Sequence, residues 1–111
     1  MYDVRHVLRK AGLRSTYSGY NYLASAVALV LKDQEFYLKN VTSNLYRVVG
    51  EQYGVSNMCV AAAIRTMINS YWNQNSNKIL SPLLGYPVFD KPTASEFISM
   101  LADYIQDHSS R

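Results

Sequence analysis

The side chains whose types and spacing could do chemistry are gathered between Ser56 and Asn69. Ser56, Asn57, Arg65, Thr66 and Asn69 can hydrogen-bond, while Met58, Cys59, Ala61 and Ala62 stand among them. The chemistry that suits this set is recognition of double-stranded DNA. An Asn amide pairs with adenine and an Arg guanidinium with guanine or a phosphate, whereas Ala and Met offer only apolar contact to a thymine methyl. The credible readers are therefore Ser56, Asn57 and Arg65. Small neighbours could also let a helix sit deeper and bring Thr66 and Asn69 to the bases.

Other chemistry is poorly supplied. His6 and His108 lie at opposite ends of the chain, and no metal-type cluster accompanies either. No nucleophile, base and orienting group stand together. The expectation is a protein that is not an enzyme, with no catalytic residue, no cofactor, no metal and no small-molecule substrate. The one cysteine, Cys59, cannot make an internal disulfide and fits a reducing compartment. A redox switch at Cys59 would need a thiolate favoured by nearby positive charge, and no basic neighbour is evident.

A reading segment needs elements to present it. Two helices joined by a three- to four-residue turn form the helix-turn-helix unit. Between Val48 and Ile68, Gly50 is the small residue where the helices would cross, and Gly54 suits a left-handed turn. Val49, Tyr53, Val55, Val60 and Ala63 fall where the second helix must lock on the first. Ser56 is placed to cap that second helix, which is expected to run to about Asn73. In such a unit the N-terminal residues of the second helix meet base edges. The outward positions are Ser56, Asn57, Met58, Cys59, Ala61 and Ala62, then Arg65, Thr66 and Asn69.

The rest of the chain reads as helix. Val4, Val7, Leu8 and Ala11 recur at helical spacing before Gly12. A second helix is expected from about Ser18 to Lys32, with Tyr22, Leu23, Ala26, Val27 and Val30 inward. "KDQEFYLKN" looks like a short helical turn or connector. Thr42 or Ser43 can cap a third helix through Tyr53, burying Leu45, Val48 and Val49. "NQNSN" reads as a loop, "KILSPLLGY" as a short helix closed by Gly85, and "PVFDKP" as an extended linker. Thr93 and Glu96 form a capping box for a last helix carrying Phe97, Met100, Leu101, Tyr104 and Ile105 on one side. The expected fold is all-α, about six helices with a central helix-turn-helix, in one domain spanning 1–111.

Composition agrees. The 111 residues are 49% hydrophobic and 17% charged, enough to bury one core. The longest apolar run, Leu23 to Leu31, is too short to span a bilayer, and the N-terminus has no apolar signal region. A cytoplasmic protein without a membrane partner is expected. The net charge is +3, with Arg5, Arg9, Lys10 and Arg14 clustered near the start. Such a basic end suits a polyanion, or is an ordinary solvated face. The ten tyrosines, three of them at 17, 20 and 22, fit half-buried packing or phosphate contact.

Four stretches carry a resemblance: "GYNYL" (Gly19 to Leu23), "AAAIRTMINSYW" (Ala61 to Trp72), "LLGY" (Leu83 to Tyr86) and "KPTASEFISMLAD" (Lys91 to Asp103). Together they resemble the C-terminal effector domain of the sporulation initiation response regulator, the stage-zero sporulation protein A family, over roughly Val4 to Gln106. The resemblance implies a six-helix fold and a DNA-binding activator or repressor of transcription that binds a short DNA box, often in tandem. It also implies homodimer and RNA polymerase contacts outside the recognition helix, the polymerase contact being sought at Asn73 to Ile79.

Two departures stand out. The family carries a phosphorylatable receiver domain that this sequence does not contain, so a stand-alone regulator or a piece of a longer one is expected. The family also has arginine, glutamate and arginine where this sequence has Cys59, Ala61 and Ala62. Arg65 matches a family arginine, and Thr66 replaces a usual histidine. Each good bidentate base contact is worth about 1–3 kcal/mol of discrimination. Family-like affinity for the family's box is therefore not expected. The alternative expectation is a degenerate helix-turn-helix that modulates another regulator through protein contact, using the apolar strip of Met58, Cys59, Ala61 and Ala62.

Overall fold

Val7 and Leu8 are fully buried because a helical period returns them to one side of α1 (Val4–Lys10), the first helix of a computed structural model that describes residues 4–74 and 77–109. Gly12, at φ 95°, turns the chain away after it. Helix α2 (Tyr20–Lys32) buries Leu23, Ala26, Val27 and Val30 as its pattern requires, together with Tyr20, Ala24 and Leu29. It begins two residues later than Ser18, at Tyr20, with Gly19 as its N-cap. A Cβ on Gly19 would meet the Ala63 carbonyl oxygen at 2.6 Å, so a bare backbone is what lets the start of α2 rest on its neighbour.

The connector after Asp33 is a helix of its own, α3 (Gln34–Lys39), and is the short element beyond the six expected. Its first turn is capped by Asp33, whose carboxylate accepts from the Phe36 N–H at 3.2 Å. The next helix opens differently from its sequence signals. Asn40, not Thr42 or Ser43, is the cap, accepting from the Ser43 N–H at 3.1 Å. The chain then makes a wide π-helical segment, Val41–Tyr46, that continues into α4 (Arg47–Tyr53). The wider turn takes up extra residues while keeping Leu45, Tyr46 and Val49 inside.

Three further helices follow among the described residues: α5 (Asn57–Asn73), α6 (Asn77–Leu84) and α7 (Ala94–Ser109). Gly85 closes α6 at φ 84°. The capping box forms as drawn from the sequence, with the Thr93 N–H 2.8 Å from Glu96 Oε1 and the Glu96 N–H 3.2 Å from Thr93 Oγ1.

The architecture is all-α, and no strand occurs among the described residues. Its core is built where α7 lies along α2 and both meet α5. Phe97, Leu101 and Ile105 fill it from α7, and Phe97 meets the Tyr71 ring of α5 at 5.6 Å between centroids. The buried Tyr71 hydroxyl donates to the Ala11 carbonyl, which satisfies the phenol and ties α5 to the end of α1. Met100, expected inside, is only partly buried at the margin. No helix among the described residues is long and apolar enough to cross a membrane.

Candidate nucleic-acid interface

The turn between α4 and α5 is built from small backbone demands. Gly50 is buried where the two helices cross, and a Cβ there would strike the Val55 carbonyl oxygen at 2.5 Å. Four residues later Gly54 takes φ 71° and ψ 31°, the left-handed conformation that ends α4. The Val55 N–H then returns to the Gly50 carbonyl at 2.9 Å. Ser56, extended at φ −75° and ψ 159°, starts α5 by accepting from the Cys59 N–H at 3.1 Å.

Val49 and Val60 lock this unit and are fully buried, while Val55 and Ala63 are half-buried. Tyr53 departs from its expected locking position and is 41% exposed. Its ring packs edge-on to Tyr22 at 5.2 Å and its hydroxyl lies 3.0 Å from Ser25 Oγ. It ties the end of α4 to α2.

Helical spacing sorts the nine candidate residues into a stripe and its flanks. Val60, Ile64, Met67, Ile68 and Tyr71 are the buried side of α5. Opposite them run Met58, Ala62, Arg65 and Asn69, at the i, i+4, i+7, i+11 spacing of one helix face, with Thr66 beside them. Met58 is 72% exposed. Cys59 is exposed on one flank; Asn57 and Ala61 are half-buried on the other, with Ala61 packed against the core.

The three credible readers separate. Ser56 Oγ is engaged in capping, and Asn57 Nδ2 is turned toward the Thr42 carbonyl, 3.5 Å away. Arg65 alone stands on the outward stripe. Its charge acts on the Tyr46 phenol, partly offsetting the burial that pushes that group above its ordinary value. Arg47 is less available, since it pairs with Glu51 at 2.9 Å and donates to the Ser43 carbonyl at 3.0 Å.

One cation missed by sequence reasoning joins the stripe. Lys91, from the linker before α7, places its Nζ 2.6 Å from Asn69 Oδ1. The two residues are 22 apart, and no local spacing signals the contact.

The basic start of the chain lies elsewhere. Arg5 donates to Asn21 at 2.7 Å and lies over the Tyr20 ring, while Arg9, Lys10 and Arg14 are exposed. Tyr20 is buried and its hydroxyl meets the Arg5 carbonyl at 3.3 Å, so it packs rather than reaching outward. Of the segment Asn73 to Ile79, residues 75 and 76 lie outside the described residues. Among the described residues no three His, Cys, Asp or Glu side chains gather as metal ligands would.

The family model described as "Sporulation initiation factor Spo0A C terminal" matches residues 4–105, from the first residue of α1 to most of α7. That span includes the whole α4–turn–α5 unit and the linker that carries Lys91. The chain belongs to the family of the C-terminal part of sporulation initiation factor Spo0A.

Proposed function

We propose that this chain is a DNA-binding transcriptional regulator whose helix α5 enters the major groove with a vocabulary altered from its family's. The observation that carries this reading is the intact α4–α5 crossing at Gly50, which presents the stripe Met58, Ala62, Arg65, Thr66 and Asn69 outward. No carboxylate stands on α5 to repel a phosphate. Arg65 reads guanine or anchors to phosphate, and Ser56 and Asn57 approach the backbone at the helix start. Met58, Cys59, Ala61 and Ala62 contribute shape and methyl contacts. Self-association and contact with RNA polymerase belong to surfaces away from α5.

A second reading, docking of another protein on the same helix, is favoured by one feature: Met58 is 72% exposed beside Cys59 and Ala62. Selection of binding sites from a random-sequence duplex pool, with affinity followed across a salt series, separates the two. The DNA reading expects an enriched motif and affinity that falls steeply as salt rises. Weak, unselective binding would discard it in favour of the protein-docking surface.

A further inference from the structure

An ammonium group only donates hydrogen bonds, so the short contact between Lys91 Nζ and Asn69 fixes which way the amide faces. The amide oxygen must point to Lys91, and the NH2 group is turned away from it. Asn69 is half-buried at the far end of the outward stripe of α5, one turn beyond Arg65. Lys91 has no carboxylate within ion-pair distance among the described residues.

The lysine is delivered by a braced backbone. The Val88 N–H donates to Ser81 Oγ at 2.9 Å, Pro92 is buried, and Thr93 closes the capping box of α7. Lys91 therefore reaches Asn69 from a fixed base, although its side chain is exposed.

We propose that Lys91 is a positioning residue that sets which bases Asn69 can read; this rests on α5 reading DNA. A free Asn pairs with adenine through two bonds, giving its NH2 to N7 and accepting from the N6 amino group. With one lone pair of its oxygen held by the ammonium and the amide fixed in rotation, Asn69 presents chiefly its NH2 donors. A charge-assisted bond is stronger than a neutral one, and the ammonium beside the oxygen repels the adenine amino group. The partners that remain are acceptors: guanine N7 and O6, or thymine O4.

The test is the same selection carried out on the wild type, Asn69→Ala, Lys91→Ala and Lys91→Arg, each checked for an unchanged melting temperature. The wild type is expected to prefer guanine or thymine at the one position that Asn69→Ala makes degenerate. Lys91→Ala should swing that position toward adenine by about tenfold or more in the base ratio. Lys91→Arg, which still donates, should keep the original preference. The inference is overturned if Lys91→Ala weakens binding and lowers the salt slope while the base ratio stays the same, for then Lys91 meets only phosphate. It is equally overturned if Asn69→Ala changes no position, or if Lys91→Arg behaves as Lys91→Ala. A wild type that enriches no motif removes the DNA reading itself, and this inference with it.

Discussion

The Val55 carbonyl oxygen lies 2.5 Å from where a Cβ on Gly50 would sit, and the Ser56 carbonyl carbon lies 3.3 Å from it. Both neighbours are backbone, which cannot rotate aside as a side chain can. Gly50→Ala must therefore push α4 away from the start of α5. We expect a loss of about 1–3 kcal/mol, the usual range for overpacking, read as a lower urea midpoint. DNA affinity should fall as well, because the same shift re-aims α5. An alanine variant as stable as the wild type would contradict the crossing described.

Gly54 offers the contrasting case. Its φ is 71°, and a Cβ there would meet nothing within 4 Å. The cost of Gly54→Ala is then purely conformational, about 1–2 kcal/mol. Gly54→Asn should recover much of it, since Asn visits the left-handed region more readily. No asparagine rescue is expected at Gly50. Rescue by Asn at 50 but not at 54, in parallel urea melts, would reverse the assignment of the two glycines.

How much of this was legible in the sequence follows from the range of each signal. Gly50, Gly54, Ser56 and the Thr93–Glu96 box act over a few residues, and each stands where local chemistry put it. Helical periodicity likewise foretold most of the buried sides of α2 and α7, with Tyr22 and Met100 only half-buried at their margins. The cap at Asn40 was not legible, because a π-helical opening shifts the helix start away from Thr42 and Ser43. Tyr53 matched a locking position by spacing, yet packing drew its ring to Tyr22 on another helix. In the candidate site, listing outward positions by order alone placed Asn57 and Ala61 beside Ala62. The 100° step of the helix turns those two toward the flank. Lys91 could be found only once the chain had folded.

The phenols supply a pH dependence. Burial pushes the Tyr71 hydroxyl far above its ordinary value of 10.0, and the nearby Tyr17 adds to the effect; burial also raises Tyr46, against the pull of Arg65. Above pH 10 the unfolded chain loses these protons while the folded chain keeps them. The unfolded state then binds fewer protons, so stability must fall as pH rises. The contribution is complete below the unfolded value and drains away through the alkaline range. Unfolding midpoints measured from about pH 8 to about pH 11, across the ordinary phenol titration, should decline at the upper end. Tyr71→Phe should flatten that decline and cost about 1 kcal/mol at neutral pH for the bond to Ala11. An undiminished alkaline decline in the Phe variant would show that Tyr71 is not its source.

Arg65 is the one arginine on the outward stripe of α5, and its removal should affect binding far more than folding. Exposed substitutions away from special features usually shift stability by no more than about 0.5 kcal/mol. If Arg65 meets a phosphate, Arg65→Ala should lower affinity evenly across sequences and reduce the salt slope by about 1. If it pairs with guanine, one position of the selected motif should relax, at a cost of about 1–3 kcal/mol. No change in either measure would remove Arg65 from the interface.

Restoring the family's side chains tests whether the scaffold still presents them correctly. Ala62 lies at the middle of the outward stripe and is exposed, so Ala62→Arg should be tolerated in folding and should gain the most on the family's DNA box. A bidentate arginine–guanine contact is worth about 1–3 kcal/mol, or about five- to 150-fold in affinity. Cys59→Arg also reaches an exposed flank, but it puts a cation in the first turn of α5, where the helix dipole opposes it by about 0.3–1 kcal/mol. Ala61→Glu should be the costly one, because Ala61 is half-buried and packed against the core, and a carboxylate there must turn outward to stay hydrated. The order of gain in anisotropy titrations at physiological salt is therefore Ala62→Arg, then Cys59→Arg, with Ala61→Glu adding specificity only alongside them. If Ala62→Arg alone gives no gain on that box, the stripe does not face the groove as the α4–α5 geometry implies.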